Sequence, residues 1–159
     1  MWAVYYTADP SSRAAVARAQ EVAPRFKVTV VPRPVASPAE VEKALQGLRA
    51  GDGLLPPDIP ILDIPALVLE TSVASRIPAA FTSALWVEHG GLVSYGSDYR
   101  AEGIQAARLV AKILRGARPR DLPVEGADRI GLALNLKTAA LLGVIPPRKV
   151  LLRADVLHR

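Results

Sequence analysis

The sequence predicts an α/β lobe: a Rossmann-like or flavodoxin-like three-layer arrangement with a mainly parallel sheet and helices on both faces. Short apolar runs alternate with amphipathic stretches through the first 116 residues, the order that builds a parallel sheet flanked by helices. Turn formers and helix caps stand at nearly every junction. Hydrophobic residues make up 50% of the 159 and charged residues 22%, enough apolar surface for one core and too little charge for a disordered chain.

Trp2 to Tyr6 reads as the first strand, ended by Thr7-Ala8-Asp9-Pro10-Ser11-Ser12. Ala15, Val16, Ala19 and Val22 recur at three and four residues and mark a helix that Pro24 stops. The β-branched run Phe26 to Val31, bounded by prolines, predicts a second strand. Ser37-Pro38-Ala39-Glu40 has capping-box spacing and opens a helix through Val41, Ala44, Leu45 and Leu48. Gly53 to Leu55 is then a strand, Pro56-Pro57-Asp58 its loop, and Leu62 to Ser75 a helix with Pro65 in its first turn. Pro78 to Phe81 predicts a strand, Ser83 to His89 a short helix, and Leu92 to Ser94 a strand closed by the turn Tyr95-Gly96-Ser97-Asp98. Ile104, Ala107, Ala111 and Leu114 mark the next helix, ended by Gly116. Residues 1–126 are read as the lobe. Residues 127–159 are read as a strand, a helix capped by Asn135 and a tail, belonging to the same domain and returning along a hinge or to a partner.

The charge balance of 20 basic against 15 acidic residues gives +5, but the basic residues are scattered, which argues against nucleic-acid binding. With no cysteine, disulfides and thiolate metal sites are excluded. No signal peptide and no stretch able to span a bilayer are read, so no membrane insertion is expected. Glycine-rich phosphate loops, Gly-x-Ser-x-Gly and His-Glu-x-x-His are absent, and the loop after the first strand holds no glycine to let a phosphate approach. Of the two histidines, His89 at a helix end suits carbonyl capping better than catalysis. No enzyme, cofactor or metal is therefore expected.

Polar and aromatic residues gather instead at the carboxyl ends of the predicted strands: Tyr6, Thr7, Asp9, Ser11 and Ser12, then Pro57 and Asp58, then Thr82 and Ser83, then Tyr95 and Asp98. Right-handed crossovers bring such loops to one rim, where open parallel sheets bind small ligands. A helix starting at Ser11 or Ser12 would offer free backbone N–H groups to an anion such as a ligand carboxylate. Asp9, Ser12, Ser83 and Asp98 are equally explained as helix caps, and Tyr6 and Tyr95 as rim packing.

Glu88-His89-Gly90-Gly91-Leu92-Val93-Ser94-Tyr95-Gly96-Ser97-Asp98 resembles the E-x-G-G-L-x-S-Y-G-P-D/N stretch of the ABC transporter substrate-binding proteins of the tryptophan/tyrosine transport-like family. Lys112 to Gly116, Asp121 to Glu125, Asn135 to Ala139, Ile145 to Pro147 and Leu152 to Asp155 are similar to that family's later motifs, in the same order. Asp9-Pro10-Ser11-Ser12 and Pro57-Asp58 correspond more loosely to its cleft loops, and Ser97 stands where the family has Pro. The resemblance covers only the C-terminal half of a family member. It implies one lobe of a type I periplasmic-binding-protein clamp, a small organic solute such as an amino acid or carboxylate, and an ABC permease or a missing N-terminal lobe as partner. A stand-alone sensory or interaction module is the alternative, and a small flavodoxin-like enzyme a third. The location follows the same division: periplasmic or extracellular for a fragment of an exported receptor, cytoplasmic for a chain complete as written. A homodimer through the apolar segment after Gly126 is expected, because a lone lobe leaves that segment under-covered.

Overall fold

The structure, a computed structural model, describes residues 1–57 and 64–159. Strand β1 (Trp2–Tyr6) pairs in parallel with β2 (Val31–Val35) on one side and β3 (Leu54–Leu55) on the other. A second sheet runs β4 (Ala80–Phe81), β5 (Val93–Ser97), β6 (Ile130–Asn135), β7 (Val156–His158), with β4 and β5 parallel, β6 antiparallel to β5, and β7 parallel to β6. A parallel bridge between Leu54 and Ala79, with the Leu54 amide donating to the Pro78 carbonyl at 2.8 Å, joins the two sheets.

The helices are α1 (Pro10–Val22), α2 (Ala39–Ala44), α3 (Ile64–Ser75), α4 (Ala84–Glu88), α5 (Tyr99–Leu114), α6 (Leu136–Leu141) and α7 (Arg148–Leu151). Alternation along β1 divides them between its faces. Trp2 and Val4 pack with Val41 and Leu45 of α2 and with Ile64, Val68 and Leu69 of α3, forming the main core. Ala3 faces the opposite way, onto Val16 of α1 and Ala23. The three layers expected from the pattern are thus present.

Three elements differ from the sequence reading. Phe26 to Val31 is not a strand: Phe26 ends a 3-10 turn and is 72% exposed, and the strand is Val31–Val35, Val-Pro-Arg-Pro-Val. The two prolines fit because β2 is an edge. The Val31 amide donates to the Met1 carbonyl at 2.9 Å, and the Val35 carbonyl accepts from the Thr7 amide at 3.0 Å. Odd-numbered residues therefore bond to β1, and the proton-less nitrogens of Pro32 and Pro34 face outward, where no ladder bond is lost. The second difference is at Tyr95 to Ser97, read as a turn but observed as the end of β5, held by β6 at Leu132, Gly131 and Ile130.

A third difference concerns α5. Of its stripe Ile104, Ala107, Ala111 and Leu114, Ala111 is partly covered and the other three are exposed, while Gln105 is the buried residue of the helix. No described strand or helix makes an extended contact with α5. No described helix is long and apolar enough to cross a membrane.

Candidate functional site

The start of α1, Pro57 after β3, Thr82 after β4, and the end of β5 with the start of α5 meet in a cleft of about 340 Å³. Ser11, Ser12 and Ala15 of α1 form one side, Pro57 and Thr82 the base, and Tyr95, Gly96, Ser97 and Tyr99 the other side. Of the candidate residues, the structure brings Ser11, Ser12, Pro57, Thr82 and Tyr95 together. Asp58 lies outside the described residues. Tyr6 is half-buried against the main core, and Thr7 is exposed, with its hydroxyl 3.4 Å from the Val35 carbonyl.

Asp9 takes the capping role, one of the two that its loop allowed. Its carboxylate accepts from the Ser11 amide at 3.2 Å, the Ser12 amide at 2.8 Å and the Ser11 hydroxyl at 2.7 Å, and also from the Ser12 hydroxyl. These donors, Ser12 foremost, hold its pKa down at about 2. The N-terminus of α1 therefore already carries an internal anion. The expected opening for a ligand carboxylate there is filled: the Ser11 and Ser12 N–H groups are taken by Asp9, and the Arg13 N–H goes to the Asp9 carbonyl.

Ser83 and Asp98 are likewise caps. Ser83 Oγ accepts from the Leu85 amide at 3.3 Å, and Asp98 accepts from the amides of Arg100 and Ala101 at 3.0 and 3.1 Å. Both border a second cleft of about 380 Å³ between α4 and the β5–β6–β7 face, not the first one. In that cleft Arg129 sits between Asp98 at 3.8 Å and Asp155 at 3.4 Å. The Leu132 amide, with help from Arg129, lowers the Asp155 carboxyl below its ordinary range. His89 caps its helix as expected, its ring nitrogen 2.8 Å from the Leu85 carbonyl.

Gly96 and Tyr99 were not singled out from the sequence. A Cβ on Gly96 would lie 1.8 Å from the Thr82 carbonyl oxygen, so only glycine lets β5 pass this close beneath the loop after β4. Thr82 Oγ1 is buried there without a hydrogen-bond partner, the kind of unsatisfied group that native structures rarely retain. Tyr95 and Tyr99 are 60% and 54% exposed beside it, more than large aromatic rings usually are. Among the described residues, no lining side chain of this cleft is charged. Among the described residues no group of histidines and carboxylates could hold a metal ion.

A family model described as ABC transporter substrate binding protein matches residues 1–157, nearly the whole chain. The chain belongs to the ABC transporter substrate binding protein family. This is a family of substrate-binding proteins, not of enzymes. The chain is 26% identical over 137 residues to the tyrosine-binding protein of Clostridioides difficile strain R20291, covering 85% of this chain and 40% of that one. Among solved structures it is similar to an ABC domain from Streptococcus pneumonia in complex with L-Trp, with TM-score 0.82 and 25% identity over 98% of this chain and 55% of that one. A conserved domain protein from Vibrio cholerae O1 biovar El Tor gives TM-score 0.80 and 26% identity over 98% and 53%. The chain thus spans about half the length of these structures and less than half of the curated relative.

Proposed function

We propose that this lobe forms one wall of a cleft for an aromatic amino acid, handed on to an ABC permease from the outer side of the cytoplasmic membrane. The observation that carries the reading is the meeting of the start of α1, Pro57, Thr82 and the end of β5 in one cleft with two exposed tyrosines. Support for the ligand class comes from the relatives described as tyrosine-binding and as complexed with L-Trp. Tyr95 and Tyr99 offer ring faces to a flat side chain, and the hydroxyls of Thr82 and Ser97 offer neutral hydrogen bonds.

The lack of charge among the described lining residues has a consequence. The ammonium and carboxylate of an amino acid need ionic or strongly dipolar partners once they leave water, and no described lining residue of this wall is ionised. In this reading the opposite wall, on a second lobe, supplies them. Affinity in the isolated chain is accordingly weak.

A thermal-shift titration with L-Trp, L-Tyr, L-Leu and L-Glu tests the reading. The aromatic amino acids should raise Tm dose-dependently, and Tyr95→Ala should abolish the rise while keeping the unliganded Tm. Thr82→Val should reduce ligand affinity while holding or raising the unliganded Tm, because it removes an unsatisfied hydroxyl at constant volume. Equal shifts with all four compounds, or none with any, would remove aromatic amino acids as the ligand class.

A further inference from the structure

Gly96, Ser97 and Tyr99 line both clefts, so the junction between β5 and α5 is a partition with a pocket on each side. Among the described residues, no strand or helix makes an extended contact with α5, which leaves the placing of its first turn to the chain that leads into it. The β5–β6 ladder runs out at that point: Ser97 pairs with Ile130, and the Asp98 amide then donates to the Arg129 carbonyl at 3.1 Å.

Beyond that rung, side chains continue the tie. Asp98 gives Oδ1 to the Arg100 and Ala101 amides at 3.0 and 3.1 Å and turns Oδ2 to Arg129 Nε at 3.8 Å. Asp155 divides its oxygens in the same way, Oδ2 accepting from the Leu132 amide at 2.9 Å and Oδ1 facing Arg129 Nη2 at 3.4 Å. The Asp155 amide also donates to the Leu132 carbonyl at 2.8 Å. The guanidinium thus spans two carboxylates, each anchored to main chain through its other oxygen, one at the start of α5 and one on β6. A planar fork of donors suits this bridge, and the single ammonium of a lysine reaches only one side of it.

We propose that Arg129 is a positioning residue of the candidate ligand cleft: from the far side of the partition it ties the start of α5 to β6 and so sets the wall formed by Tyr95 to Tyr99. The proposal rests on the reading of that cleft as an aromatic amino acid site. Arg129 lines the second cleft and not the first, so it acts through the wall and not on the ligand. Its side chain is 59% exposed, and ion pairs this open add little to global stability. Its effect therefore belongs to the geometry of the wall and not to Tm.

Amide hydrogen exchange of the unliganded chain, followed residue by residue by NMR and paired with L-Trp titration of the same variants, is the test. Arg129→Gln should speed exchange at the Arg100 and Ala101 amides while leaving the amides of β1 and the Tm unchanged. It should also weaken L-Trp binding by up to about fivefold, the range that an exposed ion pair allows. Arg129→Lys should recover part of both effects, and high salt should narrow the gap between wild type and Arg129→Gln. Asp98→Asn keeps a capping oxygen but loses the charge, and in that background Arg129→Gln should add almost nothing. Unchanged exchange in Arg129→Gln would overturn the proposal, as would faster exchange with L-Trp affinity intact, or full additivity with Asp98→Asn. A wild-type chain that ignores L-Trp would overturn the aromatic reading instead, and the exchange rates alone would then uphold or overturn the hold of Arg129 on the wall. Should Arg129→Gln unfold the chain, Arg129→Lys and Asp98→Asn decide by the same measurements.

Discussion

Helices α3 and α5 are both rich in aliphatic residues, yet they stand in opposite relations to water. α3 sets Ile64, Val68 and Leu69 into the main core, where all three are buried. α5 carries Ile104, Val110 and Leu114 outward and buries a glutamine. Periodicity shows that a helix has an apolar face. It does not show whether the surface meeting that face lies in the same polypeptide. The cooperative unit of this chain is therefore expected to centre on β1–β3 with α2 and α3, leaving α5 the element that opens first.

The sharpest way to break this contrast uses glycines. Gly96→Val drives a side chain into the Thr82 carbonyl and is expected to cost more than about 4 kcal/mol, enough to unfold a marginally stable lobe. Gly103 in α5 meets nothing within reach of an added Cβ, and there Gly→Ala is expected to stabilise by about 0.5–1 kcal/mol. Urea denaturation of both variants measures this, and a stable Gly96→Val would mean that β5 does not run so close to that loop. The next effect compares the two helices directly. Ile64→Ala should cost roughly 2–5 kcal/mol through the cavity it leaves, whereas Ile104→Ala should change monomer stability by less than about 0.5 kcal/mol at low protein concentration. Similar costs for both would show that α5 is packed on its own lobe after all.

The smallest expected effect is electrostatic. Asp9 has its pKa depressed from an ordinary 3.8 to about 2, so its stabilising contribution is fully present above pH 4 and disappears as pH falls toward 2. Asp9→Ala should lower Tm by a few degrees at pH 7, and its deficit against wild type should vanish as pH approaches 2. A deficit that stays constant across that range would mean that the capping bonds are not made in solution.

Much of this arrangement was legible in the sequence, and the parts that were not share a cause. The alternation of elements, the main core positions Val41, Leu45 and Leu54, and the meeting of Ser12, Pro57 and Thr82 followed from local pattern and the handedness of crossovers. Strand β2 was misplaced because its prolines were read as boundaries. Whether a proline ends a strand or lines its edge depends on which neighbour is missing. Tyr95-Gly96-Ser97 was read as a turn because its composition is that of turns; pairing with β6, more than thirty residues away, makes it a strand. The anion opening at α1 failed because Asp9, rightly seen as a possible cap, occupies the donors that a ligand would have needed. Each miss turned on a partner distant in sequence or on a site already filled.

The outward prolines of β2 bear on a hazard separate from folding. An open sheet presents two lateral edges, and each is a template onto which a foreign strand could add, the first step toward fibrous aggregation. At Pro32 and Pro34 the outer edge offers carbonyls but no donors, so an incoming strand would find half of its bonds missing across five residues. The other margin, β7, is three residues long. One border is thus chemically blunted and the other too brief to propagate, which should keep a lobe with so much uncovered aliphatic surface from polymerising edge to edge.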